Sequence, residues 1–146
     1  MDALQILAKD HRAVDQLFEQ IEKTDNRGAN RRGQLYRKLR NELELHAELE
    51  EEFFYPALKE HGDTKELANQ ALEEHSQVKQ MLNEIDDLSA EDDQWSEMIN
   101  ELKMAAQHHM REEEHQIFPA ARAKLDEARI SELGRKIQEM REKASA

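Results

Sequence analysis

The sequence predicts an all-α protein: an up-and-down antiparallel four-helix bundle with a short C-terminal fifth helix. Three observations carry this reading. Apolar residues recur in alternating steps of three and four, the spacing that lines one face of a helix. Only two prolines and four glycines interrupt 146 residues, which favours long helices over many short strands. The chain also repeats itself as a helical hairpin.

The first helix is expected from about Asp2 to Lys23, with Leu4, Leu7, His11, Val14, Phe18 and Ile21 in one stripe. Asn26-Arg27-Gly28 breaks it. The second is expected from about Asn30 to Glu60, carrying Leu39, Leu43, His46, Glu50, Phe53 and Ala57. His61-Gly62-Asp63 ends it, and Asp63 or Thr64 is the expected cap of the third. That helix, about Thr64 to Asp87, carries Ala68, Ala71, His75, Val78, Leu82 and Ile85. The fourth, about Glu91 to Lys124, carries Trp95, Met98, Leu102, Ala105, His109, Glu113 and Ala120. Ile130, Leu133, Ile137 and Met140 mark a last amphipathic piece that packs across the bundle. The loops are short, so neighbours should run antiparallel, and residues 1–146 read as one domain.

A shift of 64 residues lays His11-Arg12-Ala13-Val14 on His75-Ser76-Gln77-Val78, and Ile21 on Ile85. A shift of 63 lays His46, Glu50 and Pro56 on His109, Glu113 and Pro119, and Leu39 on Leu102. A hairpin present twice gives a bundle a pseudo-twofold axis with matching histidines on both sides.

Charge and composition exclude several functions. Charged residues make up 37% of the chain and the net charge is −12, which gives no basic stripe to meet nucleic-acid phosphates and opposes docking on an anionic membrane. No cysteine is present, so disulfides, iron–sulfur clusters and thiol catalysis are excluded. No run approaches the roughly 20 apolar residues that span a bilayer. Met1-Asp2-Ala3-Leu4 does not open a basic-then-apolar segment, so no signal peptide is expected. A cytoplasmic, monomeric protein is the default expectation.

The chemistry lies in the stripes. Each of the four long helices places one histidine near its midpoint, and two add a glutamate one turn later on the same face. Midpoints share a level in an antiparallel bundle, so His11, His46, His75 and His109 should converge with Glu50 and Glu113. Any one of these histidines alone reads as a hydrogen-bonded core residue. Four at one level with two buried carboxylates, and no lysine or arginine in the inward register, read as a metal site. His61, His108 and His115 fall outside the repeat. Glu51 and Glu114 lie about 100° further round their helices and read as outer or surface groups, with Glu114 an alternative to Glu113. Pro56 and Pro119 should bend their helices just past the glutamates. Tyr36 and Tyr55 read as packing residues with a polar tip, able to donate a hydrogen bond or a radical near the site.

The order His, His-x-x-x-Glu, His, His-x-x-x-Glu, with the second motifs leading to Phe54-Tyr55-Pro56 and Phe118-Pro119, resembles the haemerythrin-like HHE cation-binding family from Asp10 to Pro119. That resemblance implies two iron ions with an oxo or hydroxo bridge. His11, His46, His75 and His109 would be terminal ligands, and Glu50 and Glu113 bridges. The chain departs from the oxygen-carrying members at two places. Lys79 stands where they have a further histidine, and Glu114 where they have an aspartate. With a histidine fewer, about two coordination positions stay open instead of one. That favours redox reaction with oxygen, peroxide or nitric oxide, catalase-like breakdown included, fed where needed by an unknown electron donor. The alternative is a non-enzymatic module that senses or stores oxygen or iron. A ferritin-type oxidase needs Glu-x-x-His twice, and only Glu112-x-x-His115 fits. Closed tetrahedral zinc needs fewer ligands than six.

Overall fold

Five helices build the fold, joined by short connections. The computed structural model describes residues 1–145, with the side chains of all but 26 and 145. Helix α1 is Ala3–Glu22, and a 3₁₀ turn at Asn26–Gly28 leads to α2, residues 29–59. Then come α3 (Gly62–Asp86), α4 (residues 93–124) and α5 (Glu127–Ser145). Arg32 of α2 meets Thr24 at the end of α1, while His46 meets Asp10 further back. The two helices therefore run antiparallel. α3 returns along α2, α4 returns along α3, and α5 lies along α1 and reaches α2. At 19 residues α5 is nearly as long as α1, longer than its four apolar positions suggested. Among the described residues no helix is long and apolar enough to cross a membrane.

Local chemistry explains the ends. Asp2 and Gln5 close a reciprocal capping box, each side chain bonding the other's backbone N–H at 2.9 and 3.0 Å, which satisfies two orphan donors of α1. The cap expected at Asp63 or Thr64 is not made. α3 already begins at Gly62 with His61 in the cap position, and the Thr64 hydroxyl instead donates back to the Leu58 carbonyl at 2.5 Å. Thr64 is thereby buried as a clasp between α2 and α3.

The prolines act differently from a simple bend. In α2 the Tyr55 N–H bonds the Glu50 carbonyl, and in α4 the Phe118 N–H bonds the Glu113 carbonyl. Both bonds span five residues, so a single π turn interrupts each helix, over Glu50–Phe54 and Glu113–Ile117. Pro56 and Pro119, the next residues, lack an N–H and press on the carbonyl four residues back. Widening the preceding turn by one residue relieves both problems. Around each turn the inward position moves locally by one residue, although Ala57 stays in the core as expected. Phe53 and Ala120, expected inward, are only partly buried, and Phe54 and Ala121 take the core positions.

The core divides into two apolar plugs. One holds Leu4, Leu7, Leu49, Phe54, Leu58, Ile117 and Phe118, closed by Ile130, Leu133 and Ile137 of α5. The other holds Val14, Phe18, Leu35, Leu39, Leu82, Ile85, Trp95 and Leu102. Between them, at the middle of the bundle, lies a polar layer.

α5 is pressed onto the start of α1 at one point. A Cβ on Gly134 would sit 2.7 Å from the Ala3 nitrogen and 2.9 Å from the Asp2 carbonyl carbon. Backbone atoms cannot swing aside as a side-chain tip can. Gly134→Ala should therefore destabilise the protein by about 1–3 kcal/mol, read as a lower urea midpoint. An unchanged midpoint would show that α5 is not held this tightly.

Candidate metal centre

The polar layer contains all six residues picked out by the stripes. His11, His46, His109, Glu50 and Glu113 are buried, both glutamates with no exposure at all, and His75 is nearly so. Their inward atoms lie close together. His11 Nε2 is 3.0 Å from Glu113 Oε1, His46 Nε2 is 3.2 Å from Glu50 Oε1, and His75 Nε2 is 3.1 Å from Glu50 Oε1. His109 Nε2 lies 3.6 Å from Glu113 Oε2 and 3.1 Å from His75 Nε2.

The outer nitrogen of every ring is held by a further carboxylate. His11 Nδ1 meets Glu114 at 3.1 Å and His75 Nδ1 meets Glu51 at 2.9 Å. His46 Nδ1 meets Asp10 at 3.0 Å and His109 Nδ1 meets Glu74 at 2.7 Å. An ionised carboxylate only accepts, so each Nδ1 carries the proton and each Nε2 is turned to the centre. The four pairs obey the internal repeat: Asp10 and Glu74 precede matching histidines, and Glu51 and Glu114 follow matching glutamates. Glu114, considered as an inward alternative to Glu113, is thus a support on the outside of His11. Asp10 and Glu74 were missed by the sequence reading. An acid immediately before each repeated histidine was their signal.

Tyr55 enters the same layer. Its phenol donates to Glu113 Oε2 at 2.6 Å and lies 3.2 Å from both Glu50 Oε1 and His75 Nε2. Burial and the Glu50 and Glu113 charges push its pKa far up, so it stays a neutral donor. Tyr36 does not reach the site. It is in the other plug, donating to the Leu82 carbonyl and Asp86 at 2.9 and 2.7 Å. Lys79 is also outside the layer, exposed on the wall of a groove of about 390 Å³ between α2 and α3 that His75 also lines.

The layer is short of positive charge. Among the described residues no lysine or arginine pairs with Glu50 or Glu113. Protons take up part of the deficit. Burial would lower the imidazolium pKa of His109, but the nearby Glu50 carboxylate, the hydrogen bond to Glu74 and the Glu113 charge raise it to about 10. Against the same burial penalty, the Glu50 charge and the bond to Asp10 hold His46 well above its usual range. Glu50 is held well below the carboxylate range: burial opposes this, but the charge of the neighbouring His46 prevails.

Protons do not satisfy everything, however. His46 Nε2 and Glu50 Oε2 are buried without a hydrogen-bond partner, a state that costs about 1–3 kcal/mol per group. The His75 and His109 Nε2 atoms face each other, and a single shared proton can serve only one of them as donor. A cation beside these nitrogens would take up both lone pairs. The donor atoms of His11, His46, Glu50 and Glu113 lie within 4.8 Å of one another, and so do those of Glu50, His75 and His109. These are two ligand sets, with Glu50 common to both.

An antiparallel bundle with a buried layer of histidine and glutamate, each imidazole aimed by an outer carboxylate, defines a histidine–carboxylate metal-binding protein. A profile of the haemerythrin HHE cation-binding domain matches residues 2–121 and again 72–146, and the chain belongs to that family. Its fold is similar to the crystal structure of a haemerythrin HHE cation-binding domain-containing protein from Mycobacterium kansasii. The TM-score is 0.87 at 26% identity, covering 98% of this chain and 86% of that one. No curated protein matches the chain.

The raised histidines set a pH dependence. Their folded pKa lies above the unfolded value of about 6.5, so their ion pairs stabilise the metal-free protein fully below that value. The stabilisation is lost as pH rises towards about 10, where His109 gives up its proton. The melting temperature of metal-free protein should fall across this window. Metal-loaded protein should not follow it, because the ligands are already deprotonated. Parallel melting curves would refute this charge assignment.

Proposed function

We propose that the buried layer holds two iron ions joined by an oxo or hydroxo bridge, and that the protein reacts with oxygen, peroxide or nitric oxide. The observation that carries this reading is the pair of ligand sets meeting at Glu50. One ion would be held by His11 and His46, the other by His75 and His109, with Glu50 and Glu113 spanning both. Imidazole and carboxylate donors suit iron, and six residues exceed what one closed tetrahedral ion uses. Such a pair supplies one-electron chemistry at each ion and open positions for a small ligand.

The protein's own residues do the rest. The four outer carboxylates fix the rings and raise their basicity. The two apolar plugs keep bulk water from the reacting atoms. Tyr55 Oη holds a proton between Glu50 and Glu113, within reach of an oxygen substrate entering there. Its repeat mate is Phe118, which stacks on His11 with ring centroids 5.9 Å apart. The two repeat positions therefore differ: one offers a hydroxyl to the layer and the other an apolar ring. The groove beside His75 offers a small molecule an approach to the His75–His109 side.

Peroxide disproportionation to water and oxygen balances without an outside electron source, so it is the reaction most readily supported by the chain itself. Reduction of oxygen or nitric oxide would need a separate donor. A cytoplasmic setting is part of this proposal.

Iron analysis with a visible spectrum and a peroxide assay tests the proposal. About two irons per chain with oxo-bridge absorption are expected. Peroxide turnover should be abolished in His11→Ala and Glu113→Ala. Tyr55→Phe should keep the iron and lose turnover by on the order of 10²-fold, the worth of a placed proton donor. A colourless protein that takes up no iron would sink the proposal, as would turnover that survives His11→Ala.

A further inference from the structure

A second cluster of metal-ligating side chains lies on the flank of the bundle. His108 and Glu112 stand one turn apart on α4, with His108 Nε2 3.0 Å from Glu112 Oε1. Glu74 of α3 faces them, its Oε2 3.8 Å from the same nitrogen. Donor atoms from all three residues lie within 4.8 Å of one another. The carboxylates are largely withdrawn, at 15% and 20% exposure, while the imidazole is 64% exposed at the mouth.

Two features separate this group from an ordinary solvated face. The first is a break in the internal repeat. Stepping back 63 residues from His108 and Glu112 gives Leu45 and Leu49, and both join the apolar plug that α5 closes. The hairpin thus carries apolar residues where α5 covers it. On the second hairpin the same two positions carry an imidazole and a carboxylate.

The second feature is the partner of the repeated acid. Asp10 and Glu74 are repeat mates, and each holds the Nδ1 of a buried histidine. Asp10 also meets the Arg141 guanidinium of α5 at 2.6 Å. Glu74 meets His109 with Oε1 at 2.7 Å, while its other oxygen faces an imidazole and a second carboxylate. Among the described residues no lysine or arginine pairs with Glu74 or Glu112. The fold neutralises one acid with a guanidinium and presents its mate to the outside with ligands.

We propose that Glu74, His108 and Glu112 form an outer site for a divalent transition-metal ion, separate from the buried layer but sharing Glu74 with it. One nitrogen and two oxygen donors suit zinc or ferrous iron, and three protein ligands leave room for water, so the ion exchanges readily. An ion there draws on the same carboxylate that holds His109, which links the outer site to the inner one through a single side chain.

Zinc is the probe. Protein with its buried centre already loaded is dialysed against zinc, and the metal bound is counted. The wild type should take up about one zinc per chain more than His108→Ala or Glu112→Gln. His115→Ala removes an exposed imidazole elsewhere on α4 and should keep the extra ion. Equal zinc in wild type and His108→Ala would overturn the proposal, and so would an equal loss in His115→Ala. Melting curves confirm that each variant is folded. Counting by difference makes the result independent of which metal fills the buried layer and of any catalytic activity.

Discussion

Two carboxylates with no exposure, set halfway along a helical bundle, are the constraint around which the rest of the structure is arranged. Burying such charges costs several kcal/mol each unless opposite charge is close and geometry is good. The chain answers with imidazoles and not with lysine or arginine. Each imidazole is in turn held by another carboxylate, so six acids face four imidazoles and the Arg141 guanidinium. Negative charge stays in excess even with every ring protonated. The sets of donor atoms lie where cations could be received and would close that gap.

This arrangement also explains the divided core. A polar layer cannot contribute hydrophobic burial, so the apolar work falls to the two plugs, one above and one below. α5 serves the plug nearer the N-terminus of α1, covering Leu45 and Leu49 and bringing Arg141 to Asp10. The π turns belong to the same arrangement. Each begins at an inward glutamate and ends just before a proline. The register change it makes brings Tyr55 into the layer on one side and lays Phe118 over His11 on the other.

Much of this was legible in the sequence because a helix converts spacing into direction. His11, His46, His75 and His109 stood in apolar stripes near helix midpoints, and Glu50 and Glu113 followed at one turn. Those positions fix a face and a level before any coordinate is known. The outer carboxylates were harder to read. Asp10 and Glu74 sit beside their own histidines in sequence yet bond the histidines of neighbouring helices, so their role depends on how helices face one another. Phe53 and Ala120 were misplaced because a fixed 3.6-residue period has no term for a widened turn. Pro56 and Pro119 announced a disturbance but not its form. Tyr36 and Tyr55 look alike as residues, and only packing separates one at the centre from one in the far plug.

The repeat produces a nearly symmetric layer, and the departures from symmetry are where the two halves acquire different chemistry. Tyr55 against Phe118 gives a proton donor to the His75–His109 half and an apolar wall to the His11–His46 half. α5 covers the flank of the first hairpin and leaves the matching flank of the second open, where His108 and Glu112 replace a leucine pair. A duplicated hairpin supplies two equivalent pairs of ligands at little cost in new sequence. One added helix and one aromatic exchange then make the equivalence incomplete. The half beside the α2–α3 groove is also the half with the Tyr55 hydroxyl and the open flank, so groove, phenol and outer carboxylates all fall on the same side of the layer.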